Sequence, residues 1–158
     1  MGIITVIDEF TSPISAQRMF KASILDGDNL LPKIAPQVIK NVEIIHGDGG
    51  PGSIKQMNFV EGGEIKYVKN RIDALDKENM TYAYTVIESD ALMDKIESIS
   101  YEIKLEPTPD GGCKIKRTTN CHTKPGVEIK EEEIKEAKER DALIVKAVEA
   151  YLLANPNE

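Results

Sequence analysis

The chain has 158 residues, which suits one domain, and we treat residues 1–158 as a single domain. It is 41% hydrophobic and 30% charged, as globular proteins are, and no apolar run reaches the roughly 18 residues of a membrane span. The net charge of −7 argues against a general nucleic-acid-binding protein, because phosphate contacts need a basic surface. We therefore expect a cytoplasmic protein that neither spans a membrane nor binds nucleic acids broadly.

The N-terminal part of the chain predicts one strand followed by two short helices. β-Branched residues predict a strand at 3–10. Ser15 can cap a short helix, and a turn at 26–27 leads to a second helix at about 28–34, which ends before Pro36.

From residue 38 the hydrophobic period changes to two, which predicts six further strands. Short turns separate them, so consecutive strands should pair as an antiparallel meander. The predicted strands are residues 38–45, 53–60, 64–73, 80–87, 94–105 and 113–123.

The segment at 131–153 is predicted to be one long amphipathic helix. Asp141 falls on its apolar stripe, and Arg140 lies at the edge of that stripe. The stripe itself consists of Ile134, Ala137, Ile144, Val148 and Leu152. The order of strand, two short helices, six strands and long helix predicts an α+β fold.

Strand alternation predicts which side chains face this helix. A curved sheet around a long helix can enclose a cavity, where small ligands bind. Ile115 and Arg117 share a face, so an inward Ile115 implies an inward Arg117, a candidate partner for Asp141. These charges must pair, reach water in an open cavity, or contact a polar ligand. Alternation also places tyrosines on such faces, namely Tyr82, Tyr84 and Tyr101.

The glycine-rich segment at 47–52, followed by Lys55, has two interpretations. A nucleotide-binding phosphate loop needs Gly-Lys-Ser/Thr at the start of a helix, whereas here a strand is predicted. The alternative is a hairpin loop that uses the positive φ angles open to glycine. The glycines concerned are Gly47, Gly49, Gly50 and Gly52.

Few residue types suited to metal or redox chemistry are present. Cys113 and Cys121 would lie about 26 Å apart on a shared strand, too far for a disulfide. The two histidines, His46 and His122, lack the Cys/His spacing of zinc sites. We expect reduced thiols, no metal and no cofactor.

Three stretches carry a family resemblance: GDGGPGSIK at 47–55, DALMDKIESISYE at 90–102 and KAVEAYLLANP at 146–156. Over essentially its full length the sequence resembles the plant pathogenesis-related class 10 proteins, which share the Bet v 1 fold of the major birch-pollen allergen. The resemblance implies a START-like helix-grip fold, with a seven-stranded antiparallel sheet wrapped around a long C-terminal helix and two short helices after the first strand.

The resemblance also implies a function. Family members are cytosolic, stress-induced and often allergenic, and their large hydrophobic cavity binds amphipathic molecules such as flavonoids, phytohormones and sterol-like compounds. Related receptors bind abscisic acid and inhibit protein phosphatases, so a phosphatase is one expected partner. We expect a monomeric carrier or receptor rather than an enzyme. The residues expected to line its cavity are Phe59, Asn70, Tyr82, Tyr84, Tyr101, Arg117, Cys121, Ala137, Arg140, Asp141 and Ile144.

Two enzymatic alternatives stay open. Ribonuclease activity is attributed to the family at residues that look like Lys55, Glu97, Glu149 and Tyr151, which could support acid–base chemistry. The negative net charge and the absence of a positioned catalytic histidine give this alternative little support. A condensation or lyase-type enzyme that uses charged cavity residues is the other alternative.

Several positions depart from the family pattern. Cys121 stands where family members usually have Tyr, Asn70 where they have His or Asp, and Val145 where Phe is frequent. The two smaller side chains should enlarge the cavity. Because Arg117 and Asp141, together with Arg140, should make it more polar, we expect a more polar or anionic ligand to fit.

Overall fold

The computed structural model describes residues 2–60, 66–89 and 95–157, which contain one sheet, short helices and a long C-terminal helix. The strands are β1 (Gly2–Ser12), β2 (Ile39–His46), β3 (Ile54–Phe59), β4 (Tyr67–Asp76), β5 (Thr81–Ser89), β6 (Ile96–Pro107) and β7 (Cys113–Thr123). The helices are α1 (Ala16–Phe20), continued by a π-helical turn (Lys21–Leu25), α2 (Gly27–Ile34) and α3 (Glu131–Ala154).

The seven strands form a single antiparallel sheet in the order β1-β7-β6-β5-β4-β3-β2. Strands β2 to β7 follow one another as a meander, whereas β1 pairs with the last strand, from Gly2 opposite Thr123 to Ser12 opposite Cys113. The prediction of an α+β, helix-grip fold is confirmed.

Strand boundaries differ from the prediction where local geometry intervenes. Met80 has a φ of 52°, so it belongs to the turn, and β5 begins one residue later than predicted. β4 continues to Asp76 through a bulge between Ile72 and Ala74. The predicted starts of two strands, at 64–65 and 94, lie outside the described residues.

The first predicted helix is two elements. Ser15 caps α1 by accepting a hydrogen bond from the Arg18 N–H, as expected. The chain then widens into the π-helical turn, in which the Asp26 N–H donates to the Lys21 carbonyl. Ser23 supplies a local reason, because its hydroxyl donates to the Met19 carbonyl and competes with regular helix bonding. The second helix ends at Ile34, as predicted.

The tightly packed core lies at one end of the molecule, where the short helices meet the C-terminal half of α3. Val148 and Leu152 are 0% and 1% exposed, which confirms the predicted inner stripe in this half of the helix. No helix in the described part of the chain is long and apolar enough to cross a membrane. The buried residues of this closed end include Ile14, Met19, Phe20, Leu30, Leu105, Cys113 and Ile115.

Candidate functional site

A cluster of three tyrosines, called here the tyrosine stack although only two of its rings are parallel, covers the middle of the inner sheet face. Tyr84 on β5 lies opposite Tyr101 on β6, and their rings stack with centroids 4.8 Å apart and an interplanar angle of 25°. Tyr82 lies two residues before Tyr84 on β5, and its ring centroid is 5.3 Å from that of Tyr84. The prediction that Tyr82 and Tyr84 share a face is confirmed, and the pairing of β5 with β6 places Tyr101 on the same face. It presents flat aromatic surface toward the helix.

Arg117 on β7 sits at the edge of this stack. Its guanidinium carbon lies 4.4 Å from the Tyr101 ring centroid, and its Nη2 donates a hydrogen bond of 3.1 Å to the Tyr84 hydroxyl. Its Nε lies 3.5 Å from Asp141 Oδ2 on α3. The predicted charge pair between Arg117 and Asp141 is confirmed, and the arginine also joins the tyrosines to the helix.

Burial fixes the charge states of these groups. Burial raises the pKa of Tyr82, Tyr84 and Tyr101 above the ordinary phenol value. Burial alone would lower the pKa of Arg117, but Tyr84 and Asp141 raise it above its ordinary value. At neutral pH the three phenols are therefore neutral and Arg117 is charged.

The residues between the sheet and the middle of α3 are less completely buried than those of the closed end. Burial dominates the pKa values of Tyr84 and Tyr101, yet both side chains remain only half-buried. Ile144 and Val145 on α3 are also half-buried, unlike Val148 one turn later. Partly buried aromatic and apolar side chains of this kind are typical of the walls of small-ligand sites.

A second ion pair, which the sequence analysis missed, crosses the same gap. Asp8 on β1 pairs with Lys138 on α3 at 3.2 Å, and the Asp8 side chain is 11% exposed. Asp8 lies opposite Arg117 in the β1–β7 ladder, so both project toward α3. Two ion pairs, Arg117–Asp141 and Asp8–Lys138, therefore join the sheet to α3. Alternation of Asp8 with Val6 and Phe10 was the available signal.

A third ion pair lies near the short helices. Lys55 on β3 contacts Asp28 on α2 at 2.8 Å, and its side chain is 14% exposed. Asn70 on β4 lies opposite Lys55, and its Oδ1 is buried with no hydrogen-bond partner among the described residues. An unpaired buried acceptor is costly, and a hydrogen-bond donor near Asn70 Oδ1 would remove this cost.

The other residues that were predicted to line the cavity differ in burial. Cys121 on β7 is 8% exposed and forms part of the apolar wall opposite Ile99, where burial raises the pKa of its thiol. Phe59 ends β3 and is half-buried. The side chains of Ala137 and Arg140 lie outside the described part of the structure.

The glycine-rich segment is a self-contained hairpin loop between β2 and β3, as the second interpretation held. Gly47, Gly49 and Gly52 have positive φ angles of 90°, 98° and 88°. The buried Ser53 hydroxyl accepts a hydrogen bond from the Gly49 N–H, and a side chain at Gly47 would collide with Ser53. Hydrogen bonding from the Gly50 N–H lowers the pKa of Asp48. Much of the loop's hydrogen-bonding capacity is thus used internally.

The four residues of the ribonuclease hypothesis do not form one cluster. Lys55 pairs with Asp28, and the exposed Glu97 lies on β6, which two strands separate from β3. Glu149 accepts a hydrogen bond of 2.8 Å from the Ser12 hydroxyl, and the Tyr151 ring lies under Lys33. Among the described residues no group of three or more His, Cys, Asp or Glu could hold a metal ion.

Comparison with known proteins identifies the family. The profile of the pathogenesis-related protein Bet v 1 family matches residues 1–155. The chain belongs to the Bet v 1 family. This family member is 58% identical to the major strawberry allergen Fra a 1-2 of Fragaria ananassa, over 100% of this chain and 99% of that protein. It is 55% identical to the major allergen Pru ar 1 of Prunus armeniaca, over 99% and 98% of the two chains.

Solved structures place the Bet v 1 family fold in a wider setting. The crystal structure of Ara h 8.0201 matches with a TM-score of 0.87 and 39% identity, over 98% of this chain and 100% of that chain. Norcoclaurine synthase from Thalictrum flavum, in complex with dopamine and hydroxybenzaldehyde, matches with a TM-score of 0.78 and 25% identity, over 99% and 90%. Enzymes therefore exist on this fold, although the curated relatives above are named as allergens.

Proposed function

We propose that this protein binds small amphipathic molecules in the space between the sheet and α3. The observation that carries the proposal is the inner face around Tyr84 and Arg117, where aromatic surface and hydrogen-bonding groups are removed from bulk water yet accessible. Apolar contact would supply most of the affinity, and the polar groups would orient the ligand. The complex of norcoclaurine synthase with dopamine and hydroxybenzaldehyde supports the proposal by analogy of fold.

A binding role fits these groups better than acid–base catalysis. General acids and bases work best with a pKa near the ambient pH. Here the pKa values of Tyr84, Tyr101 and Arg117 are all raised, which moves them away from neutrality. Condensation or ribonuclease chemistry stays a prediction, as does the phosphatase partner.

The test is a fluorescence titration with N-phenyl-1-naphthylamine, an uncharged probe that brightens in apolar surroundings. Thr119 lies opposite Tyr101 on the inner face, so Thr119→Trp should fill the space and lower the affinity at least about tenfold. The control is Thr118→Trp, since Thr118 lies opposite Glu102 on the outer face and should leave binding unchanged. Absence of binding to the unmodified protein, or equal binding by both variants, would contradict the proposal.

A further inference from the structure

Among the described residues, the charges on the inner sheet face are paired with opposite charges. Each of the three inward charges described on the sheet has an opposite partner, at 3.2 Å for Asp8, 2.8 Å for Lys55 and 3.5 Å for Arg117. A ligand that brings its own charge into this space must break one of these pairs or remain uncompensated. Both outcomes are unfavourable in a region shielded from water.

Arg117 nevertheless retains unused hydrogen-bonding capacity. Its Nη2 donates to Tyr84, and the guanidinium also hydrogen-bonds to Tyr101. Its Nε lies 3.5 Å from Asp141 Oδ2 and has no hydrogen-bond partner among the described residues. A guanidinium carries five N–H donors, and the Arg117 side chain is still 18% exposed. The site therefore offers donors to a ligand without offering net positive charge.

Neighbouring groups also disfavour an anionic ligand relative to an uncharged one. The carboxylates of Asp141 and Asp8 both lie on the Arg117 side of the space, so a ligand carboxylate would meet two like charges. The Tyr84 and Tyr101 rings beside the guanidinium provide flat apolar surface. An aromatic ring would stack there while an acceptor oxygen reaches the arginine.

We propose that Arg117 is a specificity-determining residue that selects uncharged aromatic ligands carrying an acceptor oxygen, such as ketones, over carboxylates. This inference rests on the proposed function, because it names the ligand class of the same space. Of the two options that the sequence suggested, a more polar or an anionic ligand, it selects the polar and uncharged one.

The experiment measures three ligands of one ring system by displacement of N-phenyl-1-naphthylamine: 2-acetonaphthone, 2-naphthoate and 2-ethylnaphthalene. In the unmodified protein at pH 7, the ketone should bind about tenfold more tightly than the hydrocarbon, the effect of one hydrogen bond from a charged donor. In the double variant Arg117→Met, Asp141→Asn this preference should disappear, because both charges are removed together.

The single variant Asp141→Asn gives the sharper result. It leaves Arg117 without its compensating charge, so the affinity for 2-naphthoate should rise about tenfold or more while that for 2-ethylnaphthalene stays constant. A matched control is Glu106→Gln, which removes the same charge from an exposed residue of β6 and should change nothing. Thermal unfolding of each variant verifies that it is folded.

The outcomes distinguish the role of Arg117 from the proposed function. If the fluorescent probe binds but the ketone and the hydrocarbon bind equally, or Asp141→Asn leaves naphthoate binding unchanged, the role of Arg117 is overturned while the proposed function stands. If no probe or ligand binds the unmodified protein, both are overturned.

Discussion

The C-terminal half and the middle of α3 lie in different environments. Toward the C-terminus, Val148 and Leu152 are fully buried against the short helices. Toward the middle, Asp141 and Ile144 are only half-buried, and Asp141 pairs with Arg117 of the sheet. The C-terminal half of α3 is therefore packed into the core, whereas its middle lies against partly exposed residues of the sheet.

This difference assigns separate tasks to the two regions. Close packing at the closed end supplies stability, because burial of apolar surface is the main favourable contribution to folding. The side chains at the middle of the sheet are less completely buried, and in the proposed function they contact the ligand. Substitutions should therefore divide into those that change stability and those that change binding.

The largest effect should come from the closed end. Leu152→Ala removes a side chain that is 1% exposed, and we expect it to lower the free energy of unfolding by about 3 kcal/mol, since a cavity remains. Leu153→Ala is the matched control, because Leu153 is 60% exposed and its truncation should cost less than about 0.5 kcal/mol. Urea unfolding measures both. Similar losses for the two variants would mean that the closed end is not the stabilising core.

The tyrosine stack should make the protein sensitive to alkali. Burial raises the pKa of Tyr82 in the folded protein, with smaller contributions from Tyr84 and Asp28. The unfolded chain therefore releases its phenol proton first, so this contribution is complete below about pH 10 and is lost as the pH rises toward the folded-state pKa.

Tyr82→Phe tests this sign. At pH 11 the unmodified protein should have lost about 1 kcal/mol of stability at this residue, a loss that the variant escapes. Urea unfolding at pH 7 and pH 11 measures the difference between the two proteins. A difference that does not change between the two pH values would show that Tyr82 is not protected from ionisation.

Local periodicity explains which parts of this site could be predicted from sequence. Alternation along single strands grouped Tyr82 with Tyr84 and Arg117 with Ile115, and helical spacing placed Asp141 on the stripe of α3. These inferences need only the geometry of one element at a time. The Arg117–Asp141 pair followed because both residues break an otherwise apolar pattern.

The missed contacts depend on how distant elements come together. Asp8 faces Lys138 only because β1 pairs with β7, and no local signal specifies that pairing. Lys55 contacts Asp28 because α2 packs against β2, the strand next to β3. The π-helical turn after α1 likewise arises from backbone competition that hydrophobic periodicity does not report.

The smallest effect should come from the second charge pair across the gap. Lys138 is 45% exposed, so solvent screens its attraction to Asp8, and Lys138→Met should cost no more than about 0.5 kcal/mol. The control is Lys146→Met, an exposed lysine of the same helix that has no ion-pair partner among the described residues.

Amide hydrogen exchange locates this loss within the helix. Lys138→Met should speed exchange around Asp141, where few packed apolar groups hold α3, and leave exchange around Val148 unchanged. High salt should reproduce the effect in the unmodified protein, because it screens the same pair. If exchange instead accelerated along the whole helix, α3 would behave as one cooperative unit and the division between its two halves would not hold.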